Sequence, residues 1–213
     1  MLPSGISSVH AQLRALCVAL VLLAGAPVAW PAESTIVVLG DSLSSGYGLS
    51  IDESWVSMLE ERLRAEGYGY DVVNASISGD TSSGGLARLP ALLAAHEPSI
   101  VIVELGGNDG LRGQPVQSLR ANLSRIIELA RDNGAALILT GIQIPPNYGP
   151  GYTGAFARIY PELAADFDIP LVGFLMEDVA LNNDLMQSDG MHPNARGHEV
   201  MLENVWAVLA DLL

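Results

Sequence analysis

The chain has 213 residues, a net charge of −14 and a single cysteine, Cys17. That length suits one domain with one core, and a hydrophobic fraction of 49% is enough to fill it. All ten basic residues are arginine, which excludes Schiff-base chemistry and a phosphate-loop lysine, while the acidic balance opposes nucleic-acid binding, which needs a basic face.

Residues 1–32 carry no Asp or Glu, and Arg14 is their only formal charge. An apolar run over 15–25 follows, shorter than the ~20 residues a spanning helix needs. Small and turn-forming residues lead from Ala24 to Ala32. These are the marks of a secretory signal peptide, cleaved after Ala29 or Ala32, which leaves 33–213 as one exported domain. The alternative is an uncleaved N-terminal anchor. Cys17 lies inside this segment, so the mature chain has no thiol chemistry and no disulfide. Its acidity reads most simply as solubility, with a saline habitat as the other reading.

From Ser34 onward short apolar runs alternate with amphipathic stretches. Residues 35–39 are rich in β-branched side chains and read as a buried strand ending at Gly40. Residues 55–66 read as a helix that Ser54 can cap and Gly67 can stop. A strand over 70–74 and a helix over 86–96, with Pro90 near its start, come next. A strand over 100–105, a helix over 116–131 and a strand over 135–142 continue the pattern. Residues 154–166 read as helical despite Pro161. A short strand over 170–172 and a closing helix over 198–213 complete it. Such alternation predicts an α/β fold with a central parallel sheet and helices on both faces. The Pro/Gly-rich stretch 143–153 is the longest irregular segment, and such loops often border a site.

Ligands of an open parallel sheet bind beyond the C-terminal strand ends. Three of those ends carry polar residues: Gly40-Asp41-Ser42, then 74–81 with Gly79, then Gly106-Gly107-Asn108-Asp109. A fourth cluster, Asp189-Gly190-Met191-His192-Pro193, lies near the C-terminus. A serine nucleophile needs a base within hydrogen-bond reach. Of the four histidines, His10 lies in the leader and His96 ends a helix. His198 sits within a helical pattern, as a surface or capping residue. His192 is in a loop, suited to presenting its ring to a cleft, and Asp189 can fix its tautomer from the same turn. The Gly79 amide, the Asn108 side chain and the Ser42 amide are candidate oxyanion donors. Asp41 is either a support of the nucleophile turn or an ordinary turn side chain bonding nearby amides. Two histidines and scattered carboxylates give no metal-ligand spacing.

These four blocks resemble those of the SGNH, or GDSL, hydrolase superfamily, and the segments 74–81, 104–113 and 144–149 resemble its thioesterase I/protease I/lysophospholipase L1 branch, which includes arylesterases. The resemblance implies a flavodoxin-like three-layer α/β/α sandwich. It implies Ser42, Asp189 and His192 as a catalytic triad, Ser42, Gly79 and Asn108 as the oxyanion hole, and no cofactor or metal. It implies a serine esterase acting on acyl esters, acyl thioesters or lysolipids, without nucleic-acid partners or a membrane span in the mature chain; a monomer is expected. The acyl pocket is expected to lie between 110–114 and 143–155. The alternatives are a carbohydrate O-acetyl esterase of the same superfamily and a non-catalytic flavodoxin-like binding module.

Overall fold

The structure, a computed structural model, describes residues 34–213; the leader expected over 1–32 falls outside them. Five strands form one parallel sheet in the order β2-β1-β3-β4-β5. They are β1 (Ser34–Gly40), β2 (Tyr70–Asn74), β3 (Ile100–Glu104), β4 (Ala136–Thr140) and β5 (Leu171–Val172). Between them run α1 (Ser42–Ser45), α2 (Trp55–Glu66), α3 (Ser82–His96), α4 (Gly107–Leu111), α5 (Val116–Asp132) and α6 (Pro150–Phe167), with α7 (Ala195–Leu209) after β5. No helix among the described residues is long and apolar enough to cross a membrane.

The strand alternation builds two cores. Ile36, Val38, Ile100, Ile102 and Ile138 face α2 and α7, where Trp55, Leu59, Leu63, Met201 and Val205 are buried. Leu39, Val101, Val103, Leu137 and Leu139 face α3, α5 and α6. With both faces covered, the central strands β1, β3 and β4 carry near-continuous apolar runs, while the edge strand β2 keeps Asp71 and Asn74 exposed. Successive side chains point to opposite faces, so the two helical layers are fixed by residue parity along each strand. Burying one such Leu or Ile side chain is worth about 1.5–3 kcal/mol.

Several helices begin earlier than their hydrophobic pattern implies. α3 starts at Ser82, with Thr81 accepting from the Gly84 N–H, although Ser82-Ser83-Gly84-Gly85 are poor helix formers. Its first turn packs so close to β3 that a Cβ on Gly85 would collide with Leu105. α6 starts at Pro150, which suits a first helical position because its missing N–H would be unpaired there anyway. α7 starts at Ala195 under an Asn194 cap.

His198 is buried rather than on the surface. Its Nδ1 accepts from the Trp55 backbone N–H at 3.1 Å, so α7 holds the start of α2. Desolvation by burial, with a smaller contribution from His192, lowers the His198 pKa to about 4. The unfolded chain takes up the proton below about 6.5 while the folded one resists it. Stability from this group is therefore complete above pH 6.5 and is lost as pH falls toward 4, by up to about 3 kcal/mol. His198→Asn keeps an acceptor for the Trp55 N–H and removes the titration. Thermal melts of the two proteins should then converge at acid pH, with the variant flatter between pH 6.5 and 4; parallel curves would contradict this.

Candidate active site

The turn leaving β1 supplies Ser42. Register places Gly40 beside Glu104 of β3, and the chain turns at once into α1. Asp41 caps α1, its Oδ1 accepting from the Leu43 N–H at 3.1 Å. Ser42 thus sits at the first position of a helix, partly exposed at the C-terminal edge of the sheet.

The loop after α6 and β5 reaches back to the same edge. Met186 and Pro193 pair as an antiparallel bridge, and the Gln187 N–H donates to the His192 carbonyl at 2.7 Å. Gln187 Nε2 donates to the Tyr47 carbonyl at 2.8 Å, stitching this loop to the segment after α1. His192 Nε2 lies 3.0 Å from Ser42 Oγ, and His192 Nδ1 lies 2.7 Å from Asp189 Oδ2. Asp189 Oδ1 accepts from the backbone N–H groups of Met191 at 2.9 Å and His192 at 3.0 Å. The His192 hydrogen bonds, first the backbone and then the ring, together with the Met191 N–H, lower the Asp189 pKa to about 2. An ionised carboxylate can only accept, so Nδ1 carries the proton and Nε2 is left to accept from the serine hydroxyl. A serine in this setting can be deprotonated as it attacks.

The candidate oxyanion donors flank the serine. Gly79 has φ +82°, which favours glycine, and its loop continues off β2, with the Ile77 N–H donating to the Gly40 carbonyl at 3.0 Å. Among the described residues, the backbone N–H groups of Ser42 and Gly79 have no protein acceptor. Asn108 differs: its Nδ2 donates to Asp41 Oδ2 at 2.9 Å and to the Asp80 carbonyl at 2.8 Å. Asn108 lies on α4, which begins after Gly106; there φ is +124° and a Cβ would collide with the Tyr160 hydroxyl.

Residues 38–200 match the GDSL-like Lipase/Acylhydrolase family. The chain belongs to that family. It is 50% identical to Esterase TesA of Pseudomonas aeruginosa over 96% of this chain and all of that protein. It is 50% identical to thioesterase 1/protease 1/lysophospholipase L1 of Escherichia coli K12, covering 76% of this chain and 77% of that one. A crystal structure of TesA superposes with a TM-score of 0.82 at 52% identity, over 84% of this chain and all of the other. The chain is thus an ester-bond hydrolase with the expected α/β architecture.

Supports of this GDSL site whose roles sequence reading missed are buried or half-buried polar residues. Asp109 on α4 accepts from the Ser82 N–H at 2.8 Å and the Ser82 hydroxyl at 2.6 Å, locking α4 to α3. Arg88 on α3 pairs with Asp80 at 2.8 Å and donates to the carbonyls of Ala75 and Gly40. Glu104 Oε2 accepts from the Asp41 N–H at 3.1 Å and the Ser44 hydroxyl at 2.8 Å. Burial raises Asp41 to about 6, and burial together with the neighbouring Asp41 charge raises Glu104 well above the usual carboxylate range. Glu104 is therefore the carboxyl of the pair that holds a proton more tightly, and its Oε1 has no hydrogen-bond partner among the described residues. A Glu at the end of the all-apolar run Ile100–Val103 was the one available signal, since a lone buried carboxylate is costly. No group of three or more His, Cys, Asp or Glu side chains suited to a metal occurs among the described residues.

Apolar and polar side chains share the rim of the GDSL site, where the Arg112 guanidinium donates to the Gly79 carbonyl at 2.9 Å. Tyr47, its ring 4.6 Å from that of His192, Ile77 and Met191 are each about half exposed. A depression of about 300 Å³ is lined by Gln143, Ile144, Pro146, Thr153, Gly154 and Ala157. Ile144 packs on Gly110 of α4, and Tyr148 and Tyr152 tie this segment to the carbonyls of Leu111 and Gln114 at 2.7 and 2.6 Å. A second depression, about 170 Å³ between the start of β4 and the turn into β5, lies at the opposite edge of the sheet.

Proposed function

We propose that this hydrolase cleaves carboxylic esters and acyl thioesters with an apolar acyl or aryl group, through an acyl intermediate on Ser42. The observation that carries the reading is the unbroken relay from Ser42 through His192 to Asp189, at 3.0 and 2.7 Å. Ser42 Oγ attacks the carbonyl carbon as its proton passes to His192 Nε2. The oxygen that becomes negative is held by the Ser42 and Gly79 N–H groups and by Asn108. His192 then gives its proton to the leaving alkoxide or thiolate, and the acyl group stays on Ser42. Water, deprotonated by His192, attacks the acyl carbonyl; the bond to Ser42 Oγ then breaks, Oγ takes the proton back from His192, and the acid leaves.

The half-exposed Tyr47, Ile77 and Met191 favour an apolar substrate. The names of the E. coli and P. aeruginosa relatives support the same substrate class. The composition of 1–32 supports export of the domain starting near residue 33. A fluorophosphonate ester tests the reading: it should attach to one residue, Ser42, as peptide mapping would reveal, whereas a binding module would not react. A panel of p-nitrophenyl esters and acyl thioesters of increasing length should show kcat/KM rising beyond acetyl; a maximum at acetyl would favour the O-acetyl esterase alternative.

A further inference from the structure

We infer that Asp41 is a positioning residue for the oxyanion donor, fixing the plane of the Asn108 side-chain amide from its buried side while the Asp80 carbonyl gives up its Asn108 hydrogen bond to the substrate oxyanion. This rests on the reading of Asn108 as an oxyanion donor.

A side-chain amide nitrogen has two N–H donors, and both are already engaged, one by Asp41 Oδ2 and one by the Asp80 carbonyl. An oxyanion can reach Asn108 only by displacing one of them. Asp41 is buried, so no substrate approaches from its side. Asp80 is only partly buried and follows Gly79 directly. An oxygen held by the Gly79 N–H therefore lies on the Asp80 side of the amide. The acceptor that yields is the neutral carbonyl, and the one that stays is the carboxylate, which binds a donor more strongly.

Asp41 is itself held to this task. Its Oδ1 takes the Leu43 N–H, its backbone N–H goes to Glu104 Oε2, and its Oδ2 is left facing Asn108. Each carboxylate oxygen thus meets a donor whose position the fold sets. Burying two carboxyl groups against one another costs stability, and it is retained at the back of the nucleophile turn. The carboxyl protons order accordingly, since Glu104 holds its proton while Asp41 remains the acceptor.

The test is a double-mutant cycle between Asp41 and Asn108. Asp41→Asn keeps size and shape but must turn an N–H toward either Leu43 or Asn108. It should lower kcat about 10- to 100-fold, part of the 10²–10³ that one whole donor supplies, with KM unchanged. Combined with Asn108→Ala, it should cost nothing further, because a residue acting through Asn108 has no effect once Asn108 is gone. Losses that multiply, or wild-type turnover in Asp41→Asn, would overturn the inference alone. Wild-type turnover in Asn108→Ala would instead overturn the oxyanion reading on which it stands.

A second measurement needs no Asp41 variant and so survives any folding defect. In ¹⁵N-labelled wild-type protein the Asn108 side-chain N–H pair, assigned by its loss in Asn108→Ala, should respond asymmetrically to phosphonylation of Ser42. One resonance should move as its acceptor changes from carbonyl to phosphoryl oxygen, and the other should stay. Movement of both, or of neither, would overturn the inference.

Discussion

Ser42→Ala is expected to lower kcat on the order of 10⁶-fold. The hydroxyl is the only atom removed, and its partner is His192 Nε2 at 3.0 Å. The fold loses little: Ser42 is partly exposed, and α1 is capped by Asp41 rather than by the serine. Melting temperature should therefore stay close to wild type, so lost activity cannot be assigned to unfolding. The residual rate should be the 10³–10⁴-fold over water that donors and binding supply without a nucleophile. His192→Ala added to Ser42→Ala should cost nothing more, because the two act as one unit. Retention of more than about 1% of wild-type turnover by Ser42→Ala, well above that residual, would refute the assignment. So would fluorophosphonate labelling of the variant at another serine.

Asp189→Asn should lower kcat about 10³–10⁴-fold by a different route. Asp189 Oδ1 holds the Met191 and His192 backbone N–H groups, and Oδ2 accepts the His192 Nδ1 proton. The variant keeps its oxygen on the two backbone donors, which turns its NH₂ toward Nδ1. The imidazole must then accept at Nδ1 and carry its proton on Nε2, where it faces Ser42 and cannot act as base. The ring stays in place while its tautomer is wrong. Asp189 is 42% exposed, so its contribution lies in holding the tautomer more than in a charge shielded from solvent. Activity of the wild-type enzyme should accordingly change little with added salt. The expected marker is loss of the low-field Nδ1 proton resonance in Asp189→Asn; a variant with wild-type turnover would contradict the role.

How much of this the chain discloses depends on the range of the forces involved. β1 and β3 were legible because a buried parallel strand writes itself as a run such as Ile36-Val37-Val38 or Ile100-Val101-Ile102. The four polar blocks were legible because each lies within a few residues of a strand end or forms a single turn. α4 was not, since Gly107-Asn108-Asp109 reads locally as a turn and becomes helical through the contact of Asp109 with Ser82, far away in sequence. The true start of α3 was hidden for a related reason: what holds Ser82-Ser83-Gly84-Gly85 is close packing on Leu105, not helix propensity. His198 carries no sequence mark of its burial, because its partner, the Trp55 N–H, belongs to another helix. The commitment of both Asn108 protons could not be read at all, as it depends on angles between three separate segments.

Ser42 and His192 lie 150 positions apart in the chain. A nascent polypeptide synthesised past Asn108 already contains the proposed nucleophile and the proposed oxyanion donors, yet lacks the proposed base. On the proposed mechanism, the finished chain gains hydrolytic power only when the 189–192 loop lies against the first strand end, where His192 Nε2 meets Ser42 Oγ. The proposed chemistry is therefore latent throughout synthesis, and turnover reports completed folding, so that a chain truncated before Asp189 should be inert toward ester substrates.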